Sequence, residues 1–139
     1  EPLVRSNLSE LIRQLVAING IEDVALTTNG LLLEDHLQEL KSAGLHRLNI
    51  SLDTLTEETF QRISRRPGIE KVISAIKSAI AYDFNQIRLN AIAIRGLTEN
   101  EIVPLGEFAR EHKLELRFIE CDRTLSGTSL YRIHAARCR

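Results

Sequence analysis

Asn49, Ser51 and Asp53 stand two residues apart in Arg47-Leu48-Asn49-Ile50-Ser51-Leu52-Asp53. In a strand, that spacing puts the three polar side chains on one face, while Ile50 and Leu52 point the other way, toward covering helices. A buried strand pays about 1–3 kcal/mol for each polar group left without a partner, so three on one face point to a site that uses them. Arg88 and Asn90 repeat the spacing, Arg117 and Glu120 follow on a later apolar run, and Thr27, Thr28 and Asn29 stand where an earlier run ends. The Arg88 fork matches a phosphate or a carboxylate. The plainer alternative is mutual hydrogen bonding, with Thr28 and Asn29 as caps, Asp53 starting a helix and Arg88 paired with Glu120 or another acid.

The elements that must hold these residues are legible from periodicity. Asn7 and Glu10 are spaced like a capping box before Leu8, Leu11, Ile12, Leu15 and Val16, which predicts a helix ending near Asn19-Gly20. Asp23 to Thr27 reads as a short strand stopped at Asn29-Gly30, and Glu34-Asp35 opens a second helix that stops at Gly44. After the strand 47–53, Thr56 is placed to cap a short helix. Pro67-Gly68 breaks the path, and Ile69, Val72, Ile73, Ile76 and Ile80 mark a longer amphipathic helix. Ile87 to Ile94 is a third strand, Thr98 or Asn100 caps a helix through Phe108, and Leu114 to Ile119 is a fourth strand. Strands alternating with helices predict an α/β fold with parallel strands. An open doubly wound sheet and a barrel arc both fit the order. In either, ligands gather at the carboxyl ends of the strands, so the polar groups are expected to converge on one rim.

Composition narrows the function classes. Eighteen Lys and Arg against 19 Asp and Glu give a net charge of -1, which supplies no basic field for DNA or an anionic membrane. Apolar runs such as 15–18 and 91–94 are four residues long, far short of a membrane span. His36, His46, His112 and His134 have no metal-ligand spacing and read as surface residues. Cys121 and Cys138 are too few for a cysteine-only zinc or iron-sulfur site and read as reduced thiols. Without methionine, and with Glu1 first, the chain reads as a piece of a longer protein. Arg123, Arg132, Arg137 and Arg139 follow Asp122 with no acid among them, leaving 14 basic against 19 acidic residues before them. The expected organisation is a partial core domain, 1–122, and a basic tail, 123–139.

Five blocks follow in order: Glu1-Pro2-Leu3-Val4-Arg5, Ala25-Leu26-Thr27-Thr28-Asn29-Gly30, Arg47 to Thr54, Ile87-Arg88-Leu89-Asn90 and Leu116-Arg117-Phe118-Ile119-Glu120. Together they resemble the core of the GTP 3',8-cyclase (MoaA) family, radical SAM enzymes of molybdenum-cofactor biosynthesis. The likeness covers nearly the whole chain and fades through Gly127 to Arg132. It implies an incomplete TIM-type (β/α)6 barrel that lacks the first strands and the cluster loop. It also implies that Glu1 and Pro2 belong to a motif binding the amino group of S-adenosylmethionine, although the two glycines that precede Glu-Pro in the family are missing. By the same resemblance Ser51 contacts S-adenosylmethionine, and Asp122 stands where a methionine beside the adenine is common. Thr27 and Arg88 correspond to GTP contacts, Arg88 replacing the usual lysine. Asn29, Asn49, Asp53, Asn90 and Glu120 complete the rim candidates.

The implied reaction uses a reduced 4Fe-4S cluster to cleave S-adenosylmethionine. The 5'-deoxyadenosyl radical takes hydrogen from the ribose 3' carbon of GTP, and the carbon radical attacks C8 of guanine to give (8S)-3',8-cyclo-7,8-dihydroguanosine 5'-triphosphate. The cluster cysteines of the family lie in segments flanking the one given, so the parent is expected to be a cytoplasmic lyase, and the segment alone to be inactive. The resemblance leaves a homodimer of the parent open. Two other readings compete: a truncated relic that at most binds nucleotide or a partner, and the core of another radical SAM maturase. Thr27 together with Arg88 favours GTP.

Overall fold

The structure is a computed structural model that describes the backbone of residues 1–123 and 129–137 and the side chains of residues 1–119. The chain forms two compact units, Glu1–Ser51 with Glu70–Ile87, and Leu52–Ile69 with Arg88–Arg139.

The first unit opens with a single 3₁₀ turn, Pro2–Val4, that buries Leu3, and continues into helix α1, Leu8–Val16. Strand β1, Ala25–Thr28, helix α2, Leu33–Ser42, and strand β2, Arg47–Ser51, follow. β1 and β2 are parallel, with Leu26 opposite Leu48, Thr27 opposite Asn49 and Thr28 opposite Ile50. Leu26, Leu48 and Ile50 are buried, as are Leu33, Leu37 and Leu40 of α2 and Val72, Ile76 and Ala79 of helix α4, Ile69–Ala81. The hydroxyls of Ser74 and Ser78 both donate to Glu34 Oε1, tying α4 to the start of α2. Gly30 turns the chain between β1 and α2 at φ +81, and a Cβ there would lie 2.9 Å from Val72 Cγ1. Only glycine fits that approach.

The second unit holds helix α3, Glu57–Ser64, most of strand β3, Gln86–Ala93, helix α5, Ile102–Glu111, and strands β4, Glu115–Arg123, and β5, Ser129–Arg137. β3 and β4 are parallel, with Arg88 opposite Glu115 and Asn90 opposite Arg117. β5 returns antiparallel along β4, pairing Arg123 with Ser129 and Glu115 with Arg137. Leu52, Phe60, Leu89, Ala91, Leu105, Ala109 and Leu116 are among its buried apolar residues. Pro67-Gly68 separates α3 from α4, as the sequence predicts, and the Glu57 carboxylate accepts from Gly68 N and Ile69 N at the start of α4.

Strand and parallel strand joined by helices make the fold α/β, as expected. Local signals fare less well. Asn7 lies in the left-handed region at φ 59, and its side chain caps nothing; Glu10 bonds Arg13 and Gln14 instead of closing a capping box. Helix α1 stops at Val16, short of Asn19. Thr56 and Thr98 precede helical turns without capping them, because their hydroxyls are engaged elsewhere. Thr56 Oγ1 donates to Glu101 Oε1, and Thr98 Oγ1 donates to Ile92 O while accepting from Ile94 N. His46 is no surface residue in role: its Nδ1 accepts from Val24 N at 3.0 Å, and its backbone N–H donates to Val24 O, bracing the entry to β2. The basic tail contains β5, an antiparallel strand that the parallel pattern did not anticipate.

Candidate functional site

In the first unit the site residues are organised by one carboxylate. Glu1 Oε1 accepts from Leu3 N at 3.1 Å and from the Thr28 hydroxyl at 2.8 Å, and Glu1 Oε2 accepts from Asn29 N at 2.8 Å. Pro2 sets the 3₁₀ turn that brings Glu1 to this place. Thr28 is buried, and its Oγ1 also accepts from Gly30 N; Asn29 Oδ1 accepts from Leu31 N. The turn after β1 is thus held by side chains at each residue, which agrees with the local bonding weighed for Thr28 and Asn29. A carboxylate offers about four acceptor positions. Three are filled here, and one on Oε2 remains for an incoming donor.

Thr27 projects from the opposite face of β1 to Leu26 and Thr28 and is exposed; the Asn49 amide donates to its hydroxyl at 3.3 Å. Ser51 ends β2 with an exposed side chain. Thr27, Asn49 and Ser51 therefore share the face that the alternation predicted, and the structure brings Thr27 and Asn49 into contact.

In the second unit Asp53 lies just beyond β2. Its Oδ1 accepts from Ile92 N at 2.7 Å, while Leu52 N donates to Asn90 O at 2.9 Å. Burial pushes the Asp53 carboxyl above the ordinary 3.8, against the opposing effect of the Ile92 N–H. Asp53 does not start a helix, since α3 begins at Glu57. Arg88 sits two residues into β3, near its amino end. Its Nε donates to Glu115 Oε1 at 2.8 Å and its Nη2 to Glu115 Oε2 at 3.1 Å. Arg117 Nε donates to the same Oε1 at 2.9 Å. Hydrogen bonding from Arg88 comes first among the causes that hold Glu115 below the ordinary 4.5.

The expected rim is therefore divided. Thr28, Asn29, Ser51 and Asp53 do stand at or beyond strand ends, but Arg88 and Arg117 lie toward the amino ends of β3 and β4, because Arg88 pairs with the first residue of β4. Glu120 and Asp122 occupy β4 opposite Arg132 and Leu130; their side chains, like that of Cys121, lie outside the described residues, as does Cys138 altogether. The residue that sequence reasoning missed is Glu115. Its signal was present, two residues before Arg117 on the same strand face.

The profile of the radical SAM superfamily matches residues 1–109. The chain belongs to the radical SAM superfamily. Among curated relatives it is similar to GTP 3',8-cyclase of Rhodopirellula baltica, 57% identical over 120 residues that make up 86% of this chain and 33% of that protein. It is likewise similar to GTP 3',8-cyclase of Syntrophomonas wolfei, 46% identical over 86% of this chain and 37% of that one. The radical SAM chain thus spans about a third of the length of these relatives. Among solved structures, the radical SAM enzyme coproporphyrinogen III oxidase (HemN) of Escherichia coli superposes with a TM-score of 0.65 at 16% identity, over 86% of this chain and 28% of that one. TYW1 with a lysine-pyruvate adduct bound gives 0.64 at 18%, over 94% and 42%. A partial barrel is consistent with these likenesses.

Membership implies a 4Fe-4S cluster and S-adenosylmethionine. Such a cluster is held by cysteine thiolates, commonly four, and this chain contains only Cys121 and Cys138. Among the described residues no three of His, Cys, Asp and Glu gather into a metal site. The residues present do not fit the cluster. The remaining acceptor position on Glu1 Oε2 has the chemistry to take an ammonium donor. Among the described residues no helix is long and apolar enough to cross a membrane.

Proposed function

We propose that this chain is part of a cytoplasmic radical SAM GTP 3',8-cyclase, the lyase that converts GTP to (8S)-3',8-cyclo-7,8-dihydroguanosine 5'-triphosphate in the first step of molybdopterin-cofactor synthesis. The observation that carries the reading is the 57% identity over 120 residues to a relative of that name. Glu1 accepts a hydrogen bond from the ammonium of S-adenosylmethionine, and the Ser51 hydroxyl serves the same ligand. Thr27, steadied by the Asn49 amide, and Arg88 meet GTP. Asp122 lies along the S-adenosylmethionine site, and Asn29, Asp53, Asn90 and Glu120 complete the polar surroundings. S-adenosylmethionine, when bound, supplies the hydrogen-abstracting group; the protein residues orient the substrate and keep water away.

The test is an oxygen-free preparation of the longer parent protein, assayed for 5'-deoxyadenosine and cyclised nucleotide with GTP, ATP or no nucleotide. GTP-dependent formation of both products is expected. Formation of 5'-deoxyadenosine that ignores GTP and responds to a peptide or another small molecule would move the chain to a different radical SAM reaction. Replacing Glu1 with Gln in the parent is expected to weaken S-adenosylmethionine binding, measured by equilibrium dialysis, about tenfold, since charge-assisted hydrogen bonds are roughly twice as strong as neutral ones.

A further inference from the structure

Glu115 is the first residue of β4 and the register partner of Arg88. Its side chain is 9% exposed, and it is the common acceptor for two guanidinium groups: Arg88 through Nε and Nη2, and Arg117 through Nε. The Arg88 side chain is itself only 11% exposed. Two cations directed at one oxygen would repel each other without the carboxylate between them. A guanidinium is planar, so holding its Nε and Nη2 edge fixes the plane of the whole group. For stability alone this is a poor device, because apolar side chains of similar volume often serve a buried position as well or better than an ionic cluster. What an ionic cluster provides that apolar packing does not is one defined pose for a charged group.

We propose that Glu115 is a positioning residue for the GTP reaction, holding Arg88 in the single orientation in which the guanidinium meets GTP, with Arg117 bracing the carboxylate from the other side. This rests on the cyclase reading given above. Glu115 itself touches no substrate. Its removal leaves the positive charge of Arg88 in place, so attraction for the anionic nucleotide persists while the pose is lost. A displaced nucleotide still permits cleavage of S-adenosylmethionine but is poorly placed for hydrogen transfer.

The experiment uses the oxygen-free parent with Glu115→Gln, which keeps the volume and removes the charge. GTP affinity by equilibrium dialysis, without S-adenosylmethionine, is expected to stay within about threefold of wild type. The yield of cyclised nucleotide per 5'-deoxyadenosine is expected to fall at least about tenfold, because a misplacement of about 1 Å costs on the order of 100-fold. A variant that loses both products in step, with their ratio unchanged, overturns the proposal, since a purely structural role predicts that. In an Arg88→Ala background Glu115→Gln is expected to leave the ratio where Arg88→Ala put it; an equal further drop shows that Glu115 does not act through Arg88 and also overturns it. Should Glu115→Gln fail to fold, Glu115→Asp keeps the charge but withdraws it by one methylene, and an unchanged ratio there is equally fatal. The wild-type control separates the two levels: a parent without GTP-dependent 5'-deoxyadenosine ends the cyclase reading and this inference together, whereas an active parent with a coupled Glu115→Gln variant ends only the inference.

Discussion

A single hydroxyl illustrates how much of the first unit depends on side-chain bonding. Thr28 Oγ1 donates to Glu1 Oε1 in a part-buried bond and accepts from Gly30 N in a buried one. Thr28→Val keeps the shape and leaves Gly30 N and one Glu1 lone pair without a partner. The expected loss is about 1–3 kcal/mol, read from urea unfolding, and an unchanged midpoint would contradict the bonding described. Two of the perturbed carboxyls, Glu115 and Asp53, act in opposite directions on pH dependence. Glu115, held below 4.5 in the fold, contributes stability that is present above that value and is lost as pH falls through its folded value. Asp53, raised above 3.8, does the reverse: the folded state holds its proton more tightly, so its cost is absent below 3.8 and develops as pH rises through the folded value. Asp53→Asn keeps an acceptor for Ile92 N and removes that cost. Its thermal midpoint is expected to equal or exceed wild type at neutral pH, with the difference closing below pH 3.8; a deficit at neutral pH would refute this. At this scale the sequence reveals faces better than partners. Asn49 and Ser51 share a face because period two demands it, whereas Thr27 beside Asn49 and Glu115 beside Arg88 depend on the register of one strand against the next, which no local spacing encodes.

Helices and strands were legible where apolar periodicity was strong, as at Val72, Ile76 and Ala79 of α4 or Leu48 and Ile50 of β2. Their ends were not. Thr56 and Thr98 carry the right side chains in the right places for caps, but a buried glutamate and the β3 backbone compete for the same hydroxyls and win. Glu101 is that glutamate, accepting from Leu55 N and Thr56 Oγ1 in the segment before α3. Glu101→Ala is expected to loosen the start of α3 and to cost about 2–4 kcal/mol through two orphaned donors, measurable as faster amide exchange at Leu55 and a lower unfolding midpoint. Gly30→Ala tests the turn from β1 to α2. The positive φ costs about 1–2 kcal/mol and the approach to Val72 adds to it, so a loss of at least about 2 kcal/mol is expected in chemical denaturation. Strand β5 shows the limit of pattern reading. Its residues carry arginines and little alternation, and the charge bias concealed an antiparallel strand behind the appearance of a tail.

The α/β class follows from alternation alone, but barrel and doubly wound sheet share the same alternation, which therefore does not separate them. The division into two units, with α3 in one and most of α4 in the other, was not visible in composition either. Net charge of -1 offers little mutual repulsion between copies, and Val4, Ile18 and Val103 are 74%, 51% and 68% exposed. The 139-residue segment expressed by itself is therefore expected to self-associate in sedimentation velocity; a monodisperse monomer with a cooperative melt would oppose that. Glu1 carries a final consequence. Its carboxylate is the proposed seat of one ligand's ammonium and also the clasp on Thr28 and Asn29, beside the Thr27 proposed for the other ligand. A ligand that pulls on that clasp is expected to be felt at Thr27, and whatever factor S-adenosylmethionine applies to GTP affinity, GTP must return to S-adenosylmethionine; equal affinities with and without the other ligand would show that the clasp transmits nothing.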